Sequence, residues 1–178
     1  MDKNNIFHRV RAGEKIPEEI NVIIEIPKGS RVKYEINKEF GLIEVDRVLK
    51  TPINYPFSYG LIPQTWNDYD HDPLDVILVS EESFVPGCLV KCRVIGMIGV
   101  DDSGERDDKI LAVPLGTAEE IQDTGDLSQK DKTEMQYFLE RYKDLENKKV
   151  AVNSWDNKSK ALEFVSECVE CYKKKFSS

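Results

Sequence analysis

The chain has 178 residues, of which 40% are hydrophobic and 33% charged, with a formal net charge of -8. That length suits one well-packed domain and is short for two. With a pI near 4.9 the composition speaks against a surface built to grip nucleic acid or anionic lipid, although a small phosphate substrate stays possible if bound cations supply the missing positive charge.

No run approaches about 18 apolar residues, and Met1-Asp2-Lys3-Asn4-Asn5 is not a basic-then-apolar leader. A cytoplasmic protein with no membrane partner is therefore expected. The whole of 1–178 reads as a single domain. Residues 1–19 are polar, carry Gly13 and Pro17, and form an N-terminal arm with at most local structure.

Ile20 to Ile26 is β-branched and almost wholly apolar, the pattern of a buried strand, with Glu25 inside it either meeting a cation or facing the rim. After the turn Pro27-Lys28-Gly29-Ser30, Arg31 to Ile36 reads as a second strand and Ile43 to Leu49 as a third. Three short strands with tight turns suggest a β-meander or barrel. Pro52, Pro56, Gly60 and Pro63 then mark an irregular stretch whose Tyr55 and Tyr59 either line a site or cover the core.

Asp68-Tyr69-Asp70-His71-Asp72-Pro73-Leu74-Asp75 follows and runs straight into Val76-Ile77-Leu78-Val79. Four carboxylates within eight residues repel one another unless water or a cation screens them. Their oxygens are hard ligands, suited to Mg²⁺, Mn²⁺ or Ca²⁺. Asp68, Asp70 and Asp72 imitate the start of an EF-hand loop, but Pro73 replaces the required Gly and Val79 the bidentate Glu. Pro73 biases Asp72 toward extended geometry, so Asp70 and Asp72 share one side of a short segment. Taken alone, the octapeptide is as readily a solvated acidic loop as a metal site.

A strand from Asp75 to Val79, a turn at Pro86-Gly87 and a longer strand from Cys88 to Ile98 come next. A second charged loop, residues 101–109, then precedes Ile110-Leu111-Ala112-Val113. Acid crowds the entrance of an apolar strand in both places, so two such loops at one end of a barrel would share a cation pocket. Met135, Phe138, Leu139 and Tyr142 recur at helical spacing and predict a helix over 128–144 with Asp126 or Ser128 as N-cap. Val150-Ala151-Val152 reads as a short strand. Ala161, Leu162, Val165, Val169 and Tyr172 form one face of a final helix, whose dipole Lys173-Lys174-Lys175 complements.

Cys88 and Cys92, about 13 Å apart along a strand, cannot hold one ion, while Cys168 and Cys171 read as helix packing. Four free thiols suit a reducing compartment.

Lys33, Arg47, Lys109 and Lys143 are cations near carboxylates, the combination that phosphoryl transfer requires. The ordered series Glu25-Ile26-Pro27, Lys33-Tyr34-Glu35, Val45-Asp46-Arg47, Tyr55-Pro56 with Tyr59-Gly60, Asp70-x-Asp72-Pro73-x-Asp75, Asp102-x4-Asp107-x-Lys109 and Tyr142-Lys143-Asp144-Leu145-Glu146 resembles the soluble family I inorganic pyrophosphatases over about residues 20 to 160. The resemblance implies an α+β, mainly β fold, a five-stranded OB-like barrel with flanking helices, two of them C-terminal. It also implies Mg²⁺-dependent hydrolysis of pyrophosphate, with Mn²⁺ or Zn²⁺ as substitutes, and a homo-oligomer, a hexamer by analogy with bacterial relatives of similar length.

Carried onto matching positions, the resemblance makes Asp70, Asp75, Asp102 and Asp107 the metal ligands and Asp72 the proton acceptor. Lys33, Arg47, Tyr59, Lys109, Tyr142 and Lys143 would hold pyrophosphate, with Glu25 and Tyr55 supporting. Asp102 is preferred to Asp101 for its spacing to Asp107 and Lys109. His71 stands where small residues such as Gly are common and either faces solvent or favours Mn²⁺ or Zn²⁺; Ser58 stands where Asn often precedes the second Tyr-Gly. Two alternatives remain, another two-metal hydrolase acting on nucleotides or phosphomonoesters, and an OB-like module holding single-stranded nucleic acid. The first lacks an aromatic pocket for a base, and the net charge of -8 opposes the second.

Overall fold

The computed structural model describes residues 5–176. In chain order its elements are α1 (Ile6–Arg9), β1 (Glu19–Ile26), β2 (Val32–Ile36), β3 (Ile43–Val48), β4 (Ser58–Leu61), β5 (Asp75–Leu78), β6 (Leu89–Asp102), β7 (Glu105–Arg106), β8 (Lys109–Pro114), α2 (Gln129–Arg141), β9 (Val150–Asp156) and α3 (Lys158–Phe176). Five strands close into a barrel in the order β1-β4-β5-β8-β6, with β6 pairing back onto β1. Among the described residues only β5 and β8 run parallel; their Asp75 and Lys109 are register partners, each the first residue of its strand.

Side-chain alternation explains why these strands read as unbroken apolar runs. Val76, Leu78, Ile110 and Ala112 pack with Ala161, Phe164, Val165 and Cys168 of α3. Ile77, Leu111 and Val113 pack with Met135, Phe138 and Leu139 of α2. Both faces are buried, so polar residues have no place between the strand ends. Each such aliphatic side chain contributes about 1.5–3 kcal/mol through its removal from water.

The helices end where local chemistry ends them. Ser128 accepts the N–H of Asp131 and is the N-cap of α2, while Asp126 belongs to the preceding 3₁₀ turn, where its carboxylate and that of Asp123 cap each other's backbone. Lys173 pairs with Glu170 at 2.6 Å and Lys175 lies 3.6 Å from the centre of the Trp66 ring, so two residues of the Lys run have structural partners. Trp66 also donates its backbone N–H to Cys168, which ties α3 to the segment entering the acidic octapeptide. No helix among the described residues is long and apolar enough to cross a membrane.

Several boundaries differ from the sequence reading for identifiable reasons. β2 and β3 do not continue a meander from β1; they pair as a separate two-stranded hairpin in which Ile36, with Ile43 against it, packs on Ile23 and Leu61 while Val45 and Val48 are exposed. The Pro- and Gly-rich stretch after Pro52 hides strand β4, since Gly60 lets the backbone of β1 approach: a Cβ there would meet the Ile23 carbonyl at 2.2 Å. β6 extends to Asp102 through register shifts at Gly96 and Val100, and the second acidic loop is its hairpin with β7. β9 starts opposite that extension, at Val150 against Asp102, and runs on to Asp156 by pairing back along β6 as far as Met97. In the N-terminal segment, Phe7 and Ala12 are buried against the rest of the chain.

Candidate active site

The parallel pairing of β5 with β8 brings the two acidic entrances to one end of the barrel. A cleft of about 290 Å³ opens there, and twelve of the thirteen site residues expected from the sequence line it: Glu25, Lys33, Tyr55, Tyr59, Asp70, Asp72, Asp75, Asp102, Asp107, Lys109, Tyr142 and Lys143. Arg47 is the thirteenth. It is the cross-strand partner of Lys33, but its Nη1 lies 3.0 Å from Asp46, and its Nε lies 3.3 Å from Glu146. That second contact is one of charge alone, since neither buried atom finds a well-directed hydrogen bond.

The cleft's cations already hold its carboxylates. Lys109, only 4% exposed, donates to Asp75 at 2.5 Å and also to Asp107. Lys143 donates to Asp102, and Lys38 reaches Asp72 at 2.6 Å. Lys33 bonds Glu35 and lies 3.0 Å from Asp46. Glu25 points inward from β1, 7% exposed, and accepts the Ile36 N–H at 2.8 Å. Below them lies an aromatic floor, in which Tyr55 packs on Phe138 with ring centres 4.5 Å apart and Phe138 stacks on Tyr142 at 5.1 Å.

The chain is similar to known proteins over most of its length. Residues 22–173 match the model of the family described as inorganic pyrophosphatase. An inorganic pyrophosphatase of Picrophilus torridus is 39% identical over 98% of this chain and 99% of its own length. Soluble inorganic pyrophosphatase 1 of Arabidopsis thaliana is 40% identical over 93% of this chain and 79% of its own. The crystal structure of the inorganic pyrophosphatase from Thermus thermophilus superposes with a TM-score of 0.89 at 38% identity, covering 92% of this chain and 97% of that one.

The chain belongs to the inorganic pyrophosphatase family. Membership makes it a hydrolase of the inorganic diphosphatase type and accounts for the closed barrel with its C-terminal helices.

Electrostatics in the cleft of this pyrophosphatase follow from crowding. Burial, and then the charge of Asp75, push the Glu25 carboxyl up to about 8, against the pull of the Ile36 N–H. The same two causes raise Asp70 to about 7. Burial also raises Asp72, with Lys38 opposing, and Asp107, with Lys109 opposing and Asp75 reinforcing. Asp102 goes the other way: its partial burial is outweighed by Lys143, which holds it below the usual carboxylate range. Burial keeps the phenols of Tyr55, Tyr59 and Tyr142 protonated, so they are neutral donors.

Four charged residues of the cleft were not among the site residues expected from the sequence: Glu35, Lys38, Glu105 and Arg106. Glu35 could have been found, because β-strand alternation places it on the same side as Lys33. Lys38 and Arg106 could not, since one follows a strand into a turn and the other lies in a two-residue strand. Asp101 caps the Gly104 N–H at 2.9 Å, whereas Asp102 faces the cleft. Ser58 accepts the N–H groups of Lys28 and Phe84, a local structural use. His71 is exposed, with its backbone at φ 59°, a left-handed conformation that Gly adopts without cost.

Proposed function

We propose that the chain hydrolyses inorganic pyrophosphate to two orthophosphates with Mg²⁺ as cofactor. The observation that carries this reading is the charge balance of the cleft, eight carboxylates lining it against five basic side chains. So acidic a cleft would repel a pyrophosphate anion unless divalent cations were bound in it.

Among the described residues no three carboxylate, His or Cys side chains already converge as a formed cation site, because lysines occupy the carboxylates instead. The donor set nevertheless fits: it offers hard oxygens, and the repulsion that drives Asp70 upward is what a divalent ion relieves. Asp70, Asp75, Asp102 and Asp107 would hold the cations; Mn²⁺ or Zn²⁺ could substitute. When bound, such ions supply Lewis acidity and bring the pKa of the attacking water toward neutrality.

The chain's own groups do the rest. Asp72 accepts the proton of the attacking water, and it can do so because its lone pairs are not spent on a ligand bond. Lys109 and Lys143, released from their carboxylates, donate to phosphate oxygens. Lys33 and Arg47 neutralise charge on the leaving phosphate from the β2–β3 hairpin. Tyr59 and Tyr142 donate hydrogen bonds without adding charge; Tyr55 packs behind them, and Glu25 supports the site from β1, where it holds the Ile36 N–H of the hairpin.

The test is phosphate release by purified protein from pyrophosphate with millimolar Mg²⁺, alongside ATP and p-nitrophenyl phosphate. Release confined to pyrophosphate, and lowered by roughly 10²–10⁴-fold in Asp72→Asn, is expected. Preference for another phosphate would sink the substrate assignment, and an undiminished Asp72→Asn would sink the proton acceptor. The same reading places the protein in the cytoplasm as a single-domain homo-oligomer, a hexamer. The exposed Phe40, Leu42 and Val45 offer apolar surface for subunit contact, and sedimentation gives the state directly.

A further inference from the structure

Asp75 starts barrel strand β5, and two further pieces of backbone carry the other candidate cation ligands. One is the turn 67–72, closed by the Asn67–Asp72 bridge and the bond from the Asp72 N–H to Asp70. The other is the β6–β7 hairpin, which bears Asp102 on one side and leads into Asp107 on the other. The strand pairing nearest to both is the β5–β8 ladder, which begins only after them, at Asp75 and Lys109. β7 contributes just two residue pairs, and both of its residues are exposed. So short a ribbon does not hold its own position in water.

Arg106 spans the gap. Its guanidinium lies 4.4 Å from the centre of the Tyr69 ring on the turn and 4.8 Å from that of Phe164 on α3. Its Nε donates to Asp108 at 2.6 Å, and Asp108, 6% exposed, accepts the Val100 N–H with its other oxygen. One planar cation thus fastens the hairpin to the turn, to α3 and to the barrel wall. Tyr69 is the residue immediately before Asp70, and Arg106 immediately precedes Asp107. The contact of Tyr69 with Arg106 therefore constrains the distance between those two carboxylates beyond the β5–β8 ladder.

We infer that Arg106 is a positioning residue: by stacking on Tyr69 while bound to Asp108 it sets the separation of the two carboxylate-bearing loops, and with it the affinity of the cleft for divalent cations. The inference rests on the proposed metal site. It reverses the naive electrostatic expectation, under which a cation lining the cleft weakens cation binding and its removal strengthens it. Removing Arg106 leaves the buried Asp108 carboxylate unpaired and adds net negative charge beside the cleft, so weaker cation binding on its removal can come only from lost geometry. Partners that orient ligands without touching the metal are worth about 10–100-fold in metal affinity.

The experiment is Mn²⁺ binding to the metal-free protein, followed by electron paramagnetic resonance of the free ion, for wild type, Arg106→Ala, Tyr69→Ala, the double variant and Tyr69→Phe. Thermal unfolding in EDTA accompanies each. Arg106→Ala and Tyr69→Ala each weaken Mn²⁺ binding by roughly tenfold or more, the double variant is little worse than either, and Tyr69→Phe, which keeps the ring, binds like wild type. Should Arg106→Ala fail to fold, Arg106→Lys carries the test, because it keeps the charge and loses the planar fork; weaker binding is expected there too. Tighter or unchanged binding in Arg106→Ala, or effects that simply add in the double variant, would overturn the inference. Asp70→Asn separates the two levels: if it leaves Mn²⁺ binding intact, the metal site itself falls and the inference falls with it, whereas loss there with no loss in Arg106→Ala removes only the inference.

Discussion

The barrel wall and the β2–β3 hairpin both supply charged groups to one cleft, yet they are built in opposite ways. Asp75 and Lys109 start strands whose next residues are fully buried, and they are fixed by pairing on both sides. Lys33 and Glu35 ride on a two-stranded ribbon with exposed valines and no place in the barrel. Of the proposed site groups, then, Asp75 and Lys109 sit on backbone paired on both sides, whereas Lys33 reaches the cleft from a ribbon outside the barrel.

The largest expected effect comes from breaking the wall. Lys109→Met leaves Asp75 and Asp107 facing one another without their buried partner, a loss of about 3–5 kcal/mol in the metal-free protein. Calorimetry in EDTA should record a melting temperature lower by roughly 10 °C, partly restored by divalent cations. A shift below about 2 °C would mean that the pair contributes little to the fold.

A second prediction concerns pH. The Glu25 carboxyl titrates near 8 in the folded chain against an ordinary 4.5, so the folded state holds its proton more tightly than the unfolded state does. Its contribution to stability is full below about 4.5 and is lost as pH rises toward 8. In EDTA the melting temperature should accordingly fall between pH 5 and pH 8. Glu25→Gln, neutral throughout, should flatten that fall by roughly 5 °C, while Asp70, raised to about 7, retains part of the slope. An unchanged slope in the variant would show that the buried carboxyl is not the titrating group.

The hairpin gives the smallest stability change and sharpens the contrast. Lys33→Ala removes partly exposed ion pairs, so unfolding should move by no more than about 1 kcal/mol. Its KM for pyrophosphate should nonetheless rise about tenfold, the equivalent of one lost charge-assisted contact. A large fall in melting temperature with an unaltered KM would make the hairpin a structural element and end the comparison.

Much of the cleft was legible in the chain because the chemistry is local. Asp70, Asp72 and Asp75 fall within six residues, and Asp102, Asp107 and Lys109 within eight, each set followed by a strand that any reading of hydrophobicity finds. What brings the sets together is not local. The parallel register of Asp75 with Lys109 is a property of barrel closure, and nothing in either segment encodes it. The lysine partners were hidden for the same reason: Lys143 meets Asp102 across 41 positions, and Lys38 meets Asp72 from a turn with no periodicity. Gly60 misleads as a loop signal because its role, close approach to Ile23, exists only once β1 and β4 are paired.

The lysines that sit on the cleft's carboxylates have a consequence for the end of a catalytic cycle. Loading such a site is an exchange of counter-ions, in which each side chain that leaves a carboxylate has somewhere to return. When product phosphate departs, Lys109 and Lys143 need not be left as bare buried charges, since Asp75, Asp107 and Asp102 stand ready to take them back. On the proposed roles of Lys109 and Lys143, the resting protein would in this way compete with its own product for the groups that hold it, and release would be favoured without any opening of the fold.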